Sequence, residues 1–191
     1  MFKEAIRSFN PMNDQEKEEQ EMIVDYINQY KDNLLYRDNK FAHMTASGIV
    51  LNDAMDHMLM IHHNIYNTWA WTGGHADGES NLYEVAYQEV LEETGLKIIE
   101  PLTDEMLSID ILPVLSHYKK GNFVGTHLHL NVTYVFIADM NSQLTIKADE
   151  NSGVMWVPIN EINSYSNEPY LVDVYNKIIE RAKKVKVDYK L

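Results

Sequence analysis

The sequence predicts an α/β fold, a mixed β-sheet with helices packed on its faces, preceded by an additional N-terminal helix. Strand-like apolar segments occur in runs on both sides of one central helical stretch, a pattern that disfavours a doubly wound parallel sheet. An amphipathic helix closes the chain. A length of 191 residues, without internal repeat, low-complexity tract or interdomain linker, suits one domain with a substantial core.

Asn13-Asp14, followed by Glu16, Glu18, Glu19 and Glu21, places acids in the first turns of a helix, where the helix dipole favours them. Met22, Ile23, Tyr26, Ile27 and Tyr30 then recur at helical spacing, so residues 1–40 are expected to form a helical extension packed on a core of residues 41–191. A homodimer contact is the alternative use of that apolar face. From Phe41 the period changes. Phe41 to Leu51 and Met58 to His62 read as strands joined by a turn at Asn52 to Met55, leading toward Trp69 to Thr72. A glycine-rich turn then feeds the central helix, which Gly95 ends. Ile109 to Tyr118 and His127 to Ala138 read as two more strands, separated by a turn at Lys119-Lys120-Gly121-Asn122. Leu144 to Lys147 and Val154 to Val157 read as short strands, and Ile159 to Asn163 as one helical turn. Pro169 opens the last helix, with Leu171, Val174, Tyr175, Ile178 and Ile179 inward and Lys177, Arg181, Lys183 and Lys184 outward.

A net charge of −13 opposes a nucleic acid polymer as partner. Cysteine is absent, which removes disulfides, thiolate zinc sites and cysteine nucleophiles and leaves carboxylate and histidine as the metal-binding vocabulary. The first twenty residues contain no apolar signal segment, and no window approaches the roughly 18 apolar residues of a membrane span. The expectation is a soluble cytoplasmic protein with no membrane partner.

Chemistry is concentrated between Gly73 and Leu96. On the central helix, Leu82, Val85, Ala86, Glu89 and Glu93 fall on one arc, with Glu92 at its edge, so the inward face begins apolar and ends acidic. Carboxylates at i, i+3 and i+4 repel one another, and near a helix C-terminus they also oppose the dipole. A solvated acidic helix end would carry both unfavourable terms. A hard divalent cation would relieve both.

The pattern Gly74-x5-Ser80-x7-Gln88-Glu89-Val90-x-Glu92-Glu93-x-Gly95-Leu96 resembles the Nudix box, G-x5-E-x7-R-E-U-x-E-E-x-G-U with U aliphatic. The similarity runs from about Phe41 to the last helix and implies a Nudix-like α/β/α sandwich. It also implies hydrolysis of a diphosphate linkage in a nucleoside diphosphate joined to another moiety, dependent on Mg2+ or Mn2+. By resemblance Glu89, Glu92, Glu93 and the Gly74 carbonyl would hold metal. A box glutamate, Glu92 or Glu89, or the outside acid Glu150 ahead of Trp156 would take the proton from water. Two positions depart from the pattern. The early glutamate stands one residue ahead, as Glu79, and Gln88 replaces an arginine expected to orient the neighbouring carboxylates. Gln88 also keeps open a non-catalytic nucleotide or metabolite sensor on the same fold. Isoprenyl diphosphate isomerisation resembles a cysteine-dependent site, and this chain has no cysteine.

For substrate, His127, His129 and Asn131 share one face of a strand, and His62 and His63 stand where the family often places basic contacts. Histidines there would weaken diphosphate binding as pH rises from about 6 to 8. His127 and His129 could also bind zinc, although the sequence offers no evident third ligand. Trp71, with Trp69, Tyr66 and Tyr118, could stack on a base, or simply pack.

Overall fold

The computed structural model describes residues 2–119 and 121–189. Among the described residues are five α-helices: α1 Phe2–Ser8, α2 Asp14–Tyr30, α3 Leu82–Thr94, α4 Ile162–Tyr165 and α5 Pro169–Tyr189. The ten strands are β1 Ala42–Leu51, β2 His57–His63, β3 Thr68–Ala70, β4 Thr72–His75, β5 Glu100–Pro101, β6 Ser108–Val114, β7 His117–Lys119, β8 Asn122–Val124, β9 His127–Ile137 and β10 Asn151–Pro158. Two short 3-10 turns, Lys31–Leu35 and Ile159–Glu161, complete the list.

β1 organises the sheet. Along its whole length it pairs in parallel with β9, from Ala42 opposite Leu128 to Leu51 opposite Ile137. Its other edge is divided: the C-terminal end pairs antiparallel with β2 and the middle, Thr45 to Gly48, with β4. β10 and β3 extend from β2, and β6 and β5 from β9, giving an eight-stranded mixed sheet; β7 and β8 form a separate hairpin. Buried on both faces, β1 is a near-continuous run of apolar and small residues, as its central place requires.

Alternation along β1 separates two cores. Ala42, Met44 and Ala46 join α1, α2 and α3 through Ile6, Ile23, Ile27, Val85, Ala86 and Val90, while Ile49 and Leu51 meet α5 through Leu171, Tyr175 and Ile178. The result is an α/β/α sandwich. At Gly48 α3 packs close on the sheet, since a methyl there would overlap the Val90 side chain.

The N-terminal helix is fixed by more than its apolar face. Asn13 Oδ1 accepts from the Glu16 amide at 2.8 Å and Glu16 Oε2 accepts from the Met12 amide at 2.8 Å, a reciprocal cap of α2. Glu16 is also fully buried, with its carboxylate 2.7 Å from Arg181 Nη2 and 3.2 Å from Lys177 Nζ; Lys177 lies 2.6 Å from Asp110 on β6. Lys177 and Arg181 therefore do not face solvent as helical periodicity predicts. They are drawn inward because α2 and β6 present buried carboxylates that would be costly without partners.

Further differences concern local structure. Leu144 to Lys147 is an extended loop and not a strand, because its Thr145 amide bonds the Thr94 carbonyl at the end of α3 instead of joining the sheet. α1, β8 and the two-residue β5 have no counterpart in the sequence reading, and the segment Ile109 to Tyr118 is not one strand: it breaks at Leu115-Ser116, where β6 leaves the main sheet and β7 turns to pair with β8. Of the expected turn at Lys119 to Asn122, Lys120 lies outside the described residues.

Candidate active site

β4 and α3 carry the glutamate site. Gly95, in the left-handed conformation at φ 72°, caps α3 by bonding the Leu91 carbonyl, so Glu89, Glu92 and Glu93 occupy its last two turns. Glu93 is buried, and its Oε2 accepts from the Gly73 amide at 3.0 Å. Gly74 is held against Glu89: a methyl there would overlap the Glu89 carboxylate and push that side chain aside. From the other side, the turn before β10 delivers Glu150, whose amide bonds the Lys147 carbonyl at 2.8 Å. Buried Asn151 ties this turn to the helix end by donating to the Glu93 carbonyl at 2.9 Å. One carboxylate oxygen from each of Glu89, Glu93 and Glu150 lies within 4.8 Å of the others.

The electrostatics register the crowding. Burial first, and then Glu89, push the Glu93 carboxyl up to about 8, against the opposing Gly73 amide. Burial likewise raises Glu89, with Lys147 partly offsetting it. Lys147 is the compensating cation, 2.8 Å from Glu92 and 2.9 Å from Glu150; despite its partial burial these two bonds raise its ammonium above the ordinary lysine range. A set of hard oxygen donors this close, one of them a carboxyl raised by burial and its acidic neighbours, fits a hard divalent cation such as Mg2+ or Mn2+.

A stability prediction follows from Glu93. Because its folded-state value is raised, its contribution in metal-free protein is present below about 4.5 and is lost as pH rises through about 8. The loss should be on the order of 1 kcal/mol per pH unit across that window, read from urea midpoints in chelator. Saturating Mg2+ should flatten the slope.

A cavity of about 500 Å³ opens beside these acids on the α5 face of the sheet, within the usual size for a small-molecule site. Gly73, Gly74 and Glu93 line it, together with His63, Trp71, His127, His129 and Asn131. Asn131 is committed within the wall: its Oδ1 accepts from Thr45 and Ser47 at 2.9 and 3.0 Å, and its Nδ2 donates to Thr133. Trp71 packs edge-on against Tyr175 at 5.2 Å. Tyr66 lines the cavity beside His63, whereas the exposed Tyr118 packs on Phe123 of the β7–β8 hairpin.

Other candidates stand apart. Strand alternation turns His62 away from the lining, where it meets Ser152 at 2.8 Å and the edge of Trp69. Glu92 lies beside the acidic trio, joined to Glu150 through Lys147. Glu79 bonds the Asn81 amide at 2.7 Å ahead of α3, and Gln88, exposed, donates to Glu84 at 2.6 Å one turn back along the helix.

Sequence reasoning missed Lys147, and also Arg37 and Lys40, which bring positive charge to the cavity from the segment before β1. Arg37 is paired with Asp77. It missed His43 and His75, which stand with His127 and His129 in one wall. The cations lie in segments without a motif. The histidines are assembled by strand register, for which no local pattern exists.

The NUDIX domain family profile matches residues 42–181. No curated protein matches the chain significantly. Among solved structures, the chain resembles the dihydroneopterin triphosphate pyrophosphohydrolase of E. coli at a TM-score of 0.53 and 11% identity, over 71% of this chain and 94% of that one. It also resembles a bifunctional NMN adenylyltransferase/ADP ribose pyrophosphatase from Francisella tularensis, complexed with AMP and a Mn ion, at a TM-score of 0.51 and 18% identity; the match covers 85% of this chain and 49% of that one. A third similar structure is an Ap4A hydrolase of C. elegans, with a TM-score of 0.50 and 10% identity over 76% of this chain and 98% of that one. With its box, its α/β/α sandwich and a profile match across most of its length, this chain belongs to the NUDIX family.

Proposed function

We infer that the protein hydrolyses a phosphoanhydride bond in a nucleoside diphosphate linked to another moiety, in a reaction dependent on Mg2+ or Mn2+. The observation that carries this reading is the convergence of Glu89, Glu93 and Glu150 at the edge of a cavity lined by Glu93 itself. These three carboxylates would hold the divalent cation, which when bound neutralises the diphosphate and lowers the pKa of a water molecule. The chain's own residues do the remainder. The Gly73 amide orients Glu93, and Lys147 holds Glu150 and Glu92 in place. Arg37 and Lys40 supply positive charge where the substrate's phosphates would enter, and Trp71, Tyr66 and Tyr170 offer aromatic surface for its organic part. Glu92, exposed and outside the cation-binding trio, is the box carboxylate left to take the proton of the attacking water and pass it to solvent.

The test is a turnover screen over nucleoside diphosphate sugars, dinucleoside polyphosphates, nucleoside triphosphates and ADP-ribose, with Mg2+ and with Mn2+. At least one diphosphate compound should be cleaved, and chelator should stop the reaction. Tight binding of one compound without turnover of any would favour the sensor.

Lys147 takes over part of the work expected of the absent box arginine. Lys147→Met should lower turnover by about 10–100-fold through disorder of its two glutamates. Gln88→Arg should raise turnover, and by a larger factor in the Lys147→Met background than in the native one. Equal factors in the two backgrounds would show that the two positions act independently.

A further inference from the structure

The geometry points to a second metal site, formed by His43, His75 and His129, for a borderline transition-metal dication such as Zn2+ or Co2+. It does not depend on the hydrolytic reading, because it uses different residues and different donor chemistry.

Register brings the three rings together. His43 on β1 lies directly opposite His129 on the parallel strand β9, and His75 on β4 lies opposite Thr45, two residues along β1 from His43. Alternation therefore points all three side chains to the cavity face. The ring centroids of His43 and His75 are 5.0 Å apart, those of His43 and His129 5.2 Å, and those of His75 and His129 4.9 Å. One nitrogen from each lies within 4.8 Å of the other two. Tetrahedral coordination at about 2.0–2.1 Å per bond requires nitrogens about 3.3 Å apart, a contraction within reach of side-chain rotation.

Hydrogen bonding sets the proton pattern. His43 Nδ1 lies 3.0 Å from the Asn39 carbonyl, which can only accept, so Nδ1 carries the proton and Nε2 the lone pair. That Nε2 is buried without a hydrogen-bond partner among the described residues, on a side chain only 4% exposed. Such an orphaned acceptor is costly to keep, and a cation would satisfy it. A carbonyl behind the outer nitrogen of a ligating ring is also the usual support of a metal-bound histidine. His127 repeats the arrangement, with Nδ1 2.8 Å from the Gly125 carbonyl and Nε2 3.3 Å from His129 Nε2; it stands beside the trio as an orienting ring. Burial and the neighbouring rings hold His43 and His129 in the neutral form that a metal requires.

Imidazole nitrogens favour Zn2+, Co2+, Ni2+ and Cu2+, whereas the glutamate oxygens favour Mg2+ and Mn2+, so the two centres would sort their cations by donor type. All three rings line the substrate cavity. A coordination position open to that cavity would take an anionic oxygen of the bound ligand.

The experiment is titration of the intact protein with Co2+ in saturating Mg2+, followed by visible absorption, with Zn2+ binding by calorimetry in parallel. One equivalent should give the intense spectrum of four-coordinate Co2+, displaced by Zn2+. Glu93→Gln should keep this signal. His129→Asn and His75→Asn should each weaken Co2+ binding by about tenfold or more. His75 ends its strand and is partly exposed, so its variant reports even if substitution of a more buried ring prevents folding. Absence of the spectrum, or its loss in Glu93→Gln with retention in the histidine variants, would overturn the proposal.

Discussion

Glu93→Gln is expected to lower turnover by about 10²–10³-fold and, at the same time, to stabilise the metal-free protein at pH 8. The two effects have one cause. Glu93 is buried, sits beside Glu89 and Glu150, and has a carboxyl raised to about 8 by that environment. Glutamine keeps an acceptor for the Gly73 amide but removes the charge that burial and Glu89 oppose. The native carboxylate thus weakens the fold where it would serve a cation, the trade expected of a site kept for function. Initial rates with the best diphosphate substrate, paired with urea midpoints in chelator, measure both. A variant that loses activity and also loses stability at pH 8 would contradict the electrostatic argument.

The second large effect concerns the fold. Arg181→Met should destabilise the protein by about 3–5 kcal/mol, because it leaves a buried carboxylate short of its closest cation. Glu16 is fully buried, and its contact to Arg181 at 2.7 Å is shorter than that to Lys177 at 3.2 Å. Arg181 also donates to the Leu107 carbonyl and to Asn10, so the substitution loosens α1 and α2 from α5 together. Against a typical total of about 5–15 kcal/mol this is a large fraction, and equilibrium unfolding would resolve it. A shift within about 0.5 kcal/mol, the usual range for exposed substitutions, would mean the network is effectively solvated.

Legibility in the sequence followed the distance over which each feature is encoded. β1, β2, β9, α2 and α5 emerge from short-range periodicity, and Asn13, Pro169 and Gly95 mark helix ends through local backbone chemistry. The glutamates were legible because three of them share two turns of one helix. Glu150 follows only from the resemblance, through its distance from Trp156. What was missed depends on long-range assembly. Lys177 and Arg181 fall on the outward arc of an isolated amphipathic helix, yet Glu16 and Asp110, which draw them inward, lie far away in the chain. Periodicity places Lys147 at the end of a strand, whereas the bond from Thr145 to Thr94 and those from Glu150 and Asn151 to the Lys147 carbonyl fold its segment over the glutamates. The same holds for His43 and His75, whose partnership with His129 is written in the pairing of β1 with β9 and β4. His62 and His63 differ for the opposite reason: a period of two sends neighbours to opposite faces, so only His63 reaches the cavity.

The central claim is that the carboxylates of Glu89, Glu93 and Glu150 serve a cation-dependent cleavage of a diphosphate. The most direct test is the initial rate with the best substrate of the screen as a function of Mg2+ or Mn2+ concentration, in native protein and in Glu93→Gln. The account predicts a rate that rises from baseline and saturates with the cation in the native protein, and stays near baseline in the variant. Cleavage that persists in chelator, or is equally fast in Glu93→Gln, would contradict it.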